Sequence, residues 1–317
     1  MKRFFSDDSY WNQPIGPDPA VDPNSDRMVE LMDQRQSTIY INCRDYTIPV
    51  YAADAETPRR RVHQRGPEPD ATGGRRERQS RYSQHPDFGP EIPIPEGAVP
   101  DPAGDAHMAV VDWENRRAWD MWYVRIRPDG EYESATGMAY SLDSDGVWNT
   151  EDFPITNGES IHFHGPSRAA GVPAIAGLIM YEDIQRGRIE HKLAFATNNV
   201  LQRFVWPAAW TDGGHEDGPV EGCTLQLDPE LDLDQFDLSP AAATIARALQ
   251  EYGAVDVDCA GGNVLYAEGL YGHADRGWEG VLDPDELRCI PMHHYRILEL
   301  GDIVHKGDAR KRRRSGH

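Results

Sequence analysis

Residues 168–206, RAAGVPAIAGLIMYEDIQRGRIEHKLAFATNNVLQRFVW, decide the fold because they contain the longest apolar run of the chain. Residues 174–180 are apolar enough for a buried strand, and the neighbouring Gly171, Pro173 and Gly177 favour a bent strand over a helix. Residues 181–187 then predict one helical turn that ends at a left-handed glycine. The stretch therefore predicts two core strands joined by a short helical turn.

The second of these strands, predicted over residues 189–197, alternates between an apolar and a polar face. His191 falls on the apolar face together with Leu193 and Phe195. One interpretation is a core histidine whose polar atoms are satisfied. The other is that His191 meets Glu182 at the end of a sheet and that both belong to a functional site.

Several blocks of the chain resemble a family of largely uncharacterised bacterial proteins. These blocks stand here as Ala170-Gly171-Val172-Pro173, Tyr181-Glu182-Asp183, Ile189-Glu190-His191-Lys192-Leu193, Trp206-Pro207-Ala208, Ala248-Leu249-Gln250-Glu251-Tyr252-Gly253 and Val257-Asp258. Upstream, Asp105-Ala106-His107 and Trp119-Asp120-Met121 resemble two further blocks of the family. Lys192, Asp120 and Cys259 depart from the residues common in that family. The resemblance implies export from the cell and no defined activity.

The charge balance limits the partners of the protein. Lys and Arg total 32 against 53 Asp and Glu, which gives a formal net charge of −21. Nucleic acids and anionic membrane surfaces are therefore poor partners. Only four of the basic residues are lysines. This composition indicates a protein adapted to high salt, or alternatively a GC-rich genome, which also replaces lysine by arginine.

The four cysteines, Cys43, Cys223, Cys259 and Cys289, are widely spaced and form no CxxC motif, which argues against zinc-ribbon and thioredoxin-like sites. Buried free thiols are expected. No secretory signal or transmembrane run is visible, so we expect a cytoplasmic protein or one exported after removal of its signal. The sequence leaves the oligomeric state open.

Many short strand patterns and few helical ones predict an all-β, mainly antiparallel fold, a curved β-sandwich of the jelly-roll kind. Ser239 and Gly253 bracket the one substantial helix expected, near residues 240–252. Residues 255–259 and 264–268 predict a hairpin. We expect a single domain over residues 1–317, with an extended arm (about 1–27), an arginine-rich surface loop (about 56–88) and a disordered basic tail (about 306–317).

A further hairpin, over residues 107–112 and 118–126, places chemistry on one face of the sheet. An even loop length puts residue 109 opposite residue 120, and then Asp105, His107, Asp120 and Trp122 share a face. Acids, a histidine and an aromatic ring on one surface are typical of a carbohydrate site. We predict that Glu182 joins this face as a fourth catalytic side chain.

His162 and His164 alternate within SIHFHG and present a candidate metal pair. No third ligand follows at a suitable spacing, so we expect neither a metal nor another cofactor. Nucleotide-binding glycine motifs and a G-x-S-x-G nucleophile elbow are also absent from the sequence.

The expected function is cleavage of a polysaccharide, most simply by a glycoside hydrolase that uses a carboxylate pair. The catalytic candidates are Asp105, His107, Asp120 and Glu182, and the substrate-binding candidates are Trp122, Tyr123, Arg125, His191 and Trp206. A polysaccharide lyase with a His107 or Tyr123 base and Arg125 against a uronate is one alternative. A non-catalytic carbohydrate-binding or surface-interaction module is the other.

Overall fold

The computed structural model describes residues 2–65, 82–153, 165–273 and 275–315, and within these ranges the chain is mostly β-structure. The strands are β1 (Tyr40–Asn42), β2 (Ile48–Ala53), β3 (Arg59–Gln64), β4 (Glu91–Pro93), β5 (Met108–Asp112), β6 (Arg117–Trp122), β7 (Arg125–Ile126), β8 (Tyr132–Ser134), β9 (Thr136–Ser141), β10 (Leu193–Thr197), β11 (Arg203–Phe204), β12 (Thr224–Leu227), β13 (Ala254–Cys259), β14 (Val264–Tyr266), β15 (Glu268–Gly269), β16 (Tyr295–Ile297) and β17 (Val304–His305). The α-helices are α1 (Ser25–Arg35), α2 (Tyr181–Arg186), α3 (Pro240–Glu251) and α4 (Lys306–Ser315).

The largest sheet has six strands in the order β1-β14-β10-β13-β12-β16 and mixes both directions of pairing. Strand β10 occupies the centre, where it runs parallel to β13 and antiparallel to β14. All five residues of β10 are buried, as expected of a strand covered on both faces. The sheet therefore joins strands of the C-terminal half of the chain to β1 near its N-terminus.

A second sheet has five strands in the order β15-β2-β5-β6-β9. Its β5–β6 hairpin has the predicted register, with Ala109 opposite Asp120, and a four-residue loop. Strands β2 and β5 pair in parallel, whereas β6 and β9 are antiparallel. Smaller sheets pair β4-β3-β8-β7 and β11-β17.

Three hydrophobic clusters fill the space between the sheets and helices. The six-stranded sheet packs one face against helices α1 and α3, as shown by the cluster that joins Phe195 to Met32 and Ile245. Its other face shares a cluster with the five-stranded sheet, and this cluster contains Val255 of β13 and Val111 of β5. A third cluster lies between the five-stranded and the four-stranded sheets.

The expected dominance of antiparallel pairing is wrong, because the sheets are mixed. The predicted hairpin of residues 255–259 and 264–268 shows the reason. Its two strands, β13 and β14, are not neighbours, since β10 inserts between them. A strand that is apolar over four of its five residues, as β10 is, is stabilised more at the centre of a sheet than at its edge, and this outweighs the local turn signal.

The predicted strand over residues 174–180 is also wrong, although the burial is as expected. These residues form consecutive turns with one bridge, from Ile179 to Ala267. Gly177 adopts a φ of 70°, and its carbonyl accepts a hydrogen bond from Ala194 N at 2.7 Å. A left-handed glycine at this point turns the chain out of strand geometry.

The helical turn that was expected after it is confirmed as α2, with Gly187 left-handed at its end. Helix α3 is confirmed as well, but α1 and α4 have 11 and 10 residues, so α3 is not the single substantial helix. Among the described residues no helix combines the length and the apolar character needed to cross a membrane.

Two surface expectations need correction. The arginine-rich segment begins as strand β3, which pairs with β4 and β8, while its residues 66–81 lie outside the described ranges. The basic tail forms helix α4 instead of a disordered end. Ala309 is fully buried there, and it packs in the cluster shared by the two large sheets. One buried alanine on a polar helix is too weak a pattern to predict docking from sequence.

Candidate active site

A cleft of about 200 Å³ opens where the five-stranded and six-stranded sheets meet the loop of residues 167–174, which we call the arginine loop. Three aromatic side chains line the cleft, namely Tyr82, Trp122 and Trp210. Three carboxyl groups share it, namely Asp105, Asp212 and Asp258. Aromatic walls with several acids suit a ligand that has both apolar ring faces and hydroxyl groups.

Asp120 anchors the arginine loop from strand β6. Its carboxylate accepts hydrogen bonds from Ser167 N at 3.2 Å, from Ala174 N at 2.7 Å and from the Tyr140 hydroxyl at 3.1 Å. The side chain is fully buried, and burial raises the pKa of Asp120 to about 7 against these hydrogen bonds. Asp120, predicted to be catalytic, does not line the cleft, and its oxygens accept hydrogen bonds from the loop and from Tyr140.

The arginine loop is tied to the six-stranded sheet as well. Gly171 has a φ of 73°, which allows the tight turn in which Gly171 N donates to Arg168 O at 2.9 Å. Ala170 N donates to Val257 O of β13 at 3.0 Å, and Trp210 N donates to Ala170 O at 3.1 Å. The loop thereby places Arg168 beside β13 and beside the Trp210 wall.

A β-bulge in β13 turns Asp258 toward the cleft. The pairing with β10 runs Phe195 to Asp256 and then Ala196 to Asp258, so one residue of β13 is unpaired. Without this shift Asp258 would project from the same face as Asp256. The pKa of Asp258 is raised well above its usual value, chiefly by burial and next by the charge of Asp212, while Arg168 opposes the shift.

Asp105 reaches the cleft from the segment before β5. Its backbone carbonyl accepts from Tyr123 N at 2.9 Å, and its Oδ1 accepts from the indole N–H of Trp122 at 3.4 Å. Burial raises the pKa of Asp105, whereas the Trp122 hydrogen bond and the Arg168 charge lower it. Asp105, His107 and Trp122 are thus brought together at one cleft, as the hairpin register predicts.

His107 lies at the cleft floor and is 4% exposed. Its Nε2 is 3.4 Å from the carbonyl oxygen of Ser167. Burial and the nearby Arg168 charge lower the pKa of His107 to about 3. The imidazole is therefore neutral at physiological pH.

Arg168 is the central cation of the cleft and is only 1% exposed. Its guanidinium carbon lies 3.7 Å from the centroid of the Tyr266 ring, a cation–π geometry. None of its three guanidinium nitrogens has a hydrogen-bond partner among the described residues. A buried charge without a hydrogen bond is costly, which marks this position for a role beyond packing.

More acids lie behind the cleft wall. Glu221 and Asp256 are fully buried, and neither carboxyl has a hydrogen-bond partner in the ranges given above. The pKa of Glu221 is raised well above its usual value, mainly by burial and then by the charges of Asp212 and Asp256. The pKa of Asp256 is raised mainly by burial as well.

A possible cation set lies in the same wall. Ligand atoms of Asp212, Glu221 and Cys259 all fall within 4.8 Å of one another, and carboxylate with thiolate donors can hold a divalent metal. The chain supplies its own cation nearby, however. Burial lowers the pKa of Lys306, and the charges of Asp212 and Glu221 oppose that change. We therefore treat these acids as part of the cleft wall and assign no ion.

The structure does not bring Glu182 to this cleft. Glu182 lies on α2 with 72% of its side chain exposed, 3.9 Å from the guanidinium of Arg276. It lines a second cleft together with His191, so the expected neighbourhood of these two residues is observed, but at a different place. His191 precedes β10, and its imidazole Nε2 lies 3.4 Å from Asp183.

The other substrate-binding candidates also lie outside the cleft lining. Trp206 is 53% exposed and packs edge-on against Tyr10. Tyr123 stacks on Trp122 and lies under the guanidinium of Arg65. Arg125 pairs with Glu133 at 2.7 Å. His162 and His164 fall outside the described residues.

Sequence reasoning missed Arg168, Asp212 and Asp258. The strand pattern VDVDC carried a signal for Asp258, because two acids alternate with valines that must face the core. The sequence carries no such signal for Arg168, because it lies in a loop among small residues. Comparisons with protein-family models, with curated proteins and with solved structures find no match to this chain.

Proposed function

We propose that the protein cleaves glycosidic bonds of a polysaccharide in this cleft, with Asp258 as the general acid and Asp105 as the second carboxyl group. The observation that carries the proposal is the presence of two carboxyl groups of unequal environment between aromatic walls. Burial raises the pKa of both groups, that of Asp258 well above its usual value, while the hydrogen bond from Trp122 favours the charged form of Asp105. Such a pair performs acid–base cleavage of a glycoside.

The proposed steps use only these groups and water. Asp258 donates its proton to the bridging oxygen while the bond from that oxygen to the anomeric carbon breaks. Asp105 either removes a proton from the water that attacks the anomeric carbon, or attacks that carbon and is released by water afterwards. In the first route Asp105 releases its proton to solvent, and Asp258 is reprotonated from solvent. In the second, Asp258 takes the proton of the water that hydrolyses the ester at Asp105. Either route adds one water molecule across the cleaved bond. The Trp122 and Trp210 rings would stack on sugar rings on either side.

Lyase chemistry is the second candidate, and Arg168 is the observation that favours it. A lyase neutralises the carboxylate of a uronic-acid residue with a cation, and a neutral base removes the proton next to that carboxylate. The glycosidic C–O bond at the next carbon then breaks, which leaves a double bond, and the departing oxygen takes up a proton. Neutral His107, a base candidate from the sequence, and buried Arg168 both line the cleft, whereas Tyr123 and Arg125 do not. A binding module without catalysis is the remaining alternative.

A polysaccharide panel tests these candidates in one experiment. The protein is incubated with neutral and acidic glycans, and products are read by new reducing ends and by ultraviolet absorbance of unsaturated sugars. Reducing ends without the absorbance support the hydrolase, and both signals together support the lyase. Binding without either signal would contradict an enzymatic function.

For the fold, we infer a curved sandwich in which the five- and six-stranded sheets face each other. The cluster that contains both Val111 and Val255 supports this arrangement. A jelly-roll order of connections stays a prediction that an experimental structure would test.

A further inference from the structure

Arg168 is the residue that indicates which class of glycan the cleft binds. It is the one residue of the cleft floor that combines near-complete burial, a permanent charge and three guanidinium nitrogens without hydrogen-bond partners among the described residues. Arginine remains protonated at any physiological pH, so burial cannot be relieved by loss of the proton. A ligand group that accepts several hydrogen bonds would satisfy it.

The side chain is held in place rather than free to leave. Its guanidinium packs on the Tyr266 ring, and its loop is fixed by the Asp120 carboxylate and by the hydrogen bond from Ala170 N to Val257 O. A guanidinium that is fixed before binding loses little conformational freedom when it pairs with a ligand. This arrangement is typical of a recognition site.

Two further cations lie near the Trp210 wall of the cleft, although the whole chain carries a formal net charge of −21. Lys306 Nζ lies 6.0 Å from the centroid of the Trp210 ring, and the Arg310 guanidinium carbon lies 5.9 Å from it. Both come from helix α4. Their charge offsets part of the repulsion that Asp105 and Asp212 exert on an approaching anion.

We propose that Arg168 binds the carboxylate of a uronic-acid residue, so that the substrate of this cleft is an acidic polysaccharide. A carboxylate matches the planar fork of a guanidinium and accepts two parallel hydrogen bonds from it. This inference rests on the proposed function for the identity of the ligand as a glycan. It holds for a hydrolase and for a lyase, because both would bind the same acidic sugar.

Matched oligosaccharides test the proposal directly. Calorimetry compares oligouronates of a galacturonan, a glucuronan and an alginate with their methyl esters, which keep the shape and lose the charge. Titrations use wild-type protein and two variants that remove turnover, Asp258→Asn for the hydrolase and His107→Gln for the lyase. We expect at least one free acid to bind about 10- to 100-fold more tightly than its ester, as charged hydrogen bonds imply.

Variants of Arg168 test whether this residue causes the preference for the free acid. In Arg168→Gln the preference for the free acid should disappear, whereas Arg168→Lys should keep part of it. Arg276→Gln removes a cation from the second cleft and should change nothing. Near-ultraviolet circular dichroism checks that each variant is folded. If both Arg168 variants fail to fold, a preference of the wild-type protein for the free acid still supports the inference, and equal binding of acid and ester still overturns it.

Several outcomes would overturn the inference: equal binding of acid and ester, binding of neither, or an acid preference that survives in Arg168→Gln. Tighter binding of a sulfated neutral glycan, lost in Arg168→Gln, would assign the site to sulfate instead of carboxylate. Cleavage of neutral glycans that stops in Asp258→Asn would leave the proposed function standing and remove this inference. Acid binding that depends on Arg168 without cleavage of any bond would support this inference and contradict the proposed function.

Discussion

At the scale of single residues, Asp120 shows how burial changes a role. Its acidic chemistry and its place in the hairpin register predict catalysis, and the register is observed. The three donors that meet its carboxylate convert it into an anchor for the arginine loop. Sequence alone cannot reveal this, because the donors come from residues 20 to 54 positions away.

Replacing Asp120 by alanine should therefore lower stability. The change leaves the buried amides of Ser167 and Ala174 unpaired, and we expect a loss of about 2–5 kcal/mol in the free energy of unfolding. Denaturant titration at pH 7 measures it. Asp7→Ala is the matched control, since the Asp7 side chain is 94% exposed, and it should cost less than about 0.5 kcal/mol. A loss of stability in Asp120→Ala no larger than in the control would contradict the anchor role.

At the scale of elements, the local patterns predicted the β5–β6 hairpin, α2 and α3 well. Each of these depends on contacts close in sequence, such as the Ser239 cap whose side chain accepts from Ala242 N. The order of strands could not be predicted, because β10 separates β13 from β14 through long-range burial. The bulge that aims Asp258 is equally invisible in a sequence, since it depends on the partner strand.

Gly177 offers a test of how closely the turn at residues 174–180 packs on β10. A methyl group at Gly177 would lie 2.4 Å from Ala194 N, and the residue has a φ of 70°. Gly187 has a similar φ of 75° with nothing within 4 Å of the added atom. Left-handed backbone strain destabilises both Gly→Ala variants by about 1–2 kcal/mol, and a steric clash destabilises Gly177→Ala further.

We therefore expect Gly177→Ala to lose clearly more unfolding free energy than Gly187→Ala, by about 1–3 kcal/mol. Chemical denaturation of the two variants beside wild type measures the difference. Equal losses would show that the turn has room against β10, which contradicts the packing described above.

At the scale of the whole molecule, buried carboxyl groups predict how stability depends on pH. Burial raises the pKa of Asp120 and of Glu268 to about 7, from 3.8 and 4.5. The folded state thus binds more protons than the unfolded state between these values, and stability falls as pH rises from about 5 to 7. Glu221, Asp256 and Asp258 shift in the same direction. The lowered pKa of His107 makes stability rise with pH below 6.5, but this is one group against several that act in the other direction.

Unfolding free energies measured at pH 5, 6, 7 and 8 should show this decline. Glu268→Gln removes one titrating carboxyl group and keeps an acceptor for Tyr181 N. The plot of its unfolding free energy against pH should therefore be flatter by up to about 1.4 kcal/mol per pH unit. A wild-type stability that increases steadily over this range would contradict the raised pKa values.

The excess of acids makes a separate prediction about salt. Repulsion among exposed carboxylates is screened as ionic strength increases, so the melting temperature should rise between low and molar KCl. Thermal unfolding monitored by circular dichroism measures it. An unchanged or lower melting temperature would count against a protein adapted to high salt and would favour the genomic explanation of the low lysine content.

The most direct test of the catalytic cleft compares two acids, Asp258 inside it and Glu182 outside it. Initial rates of glycan cleavage are measured for wild type, Asp258→Asn and Glu182→Gln on the best substrate of the polysaccharide panel. The account predicts that Asp258→Asn loses roughly 10²- to 10⁴-fold in rate while Glu182→Gln retains the wild-type rate. Full activity in Asp258→Asn, or loss of activity in Glu182→Gln alone, would contradict it.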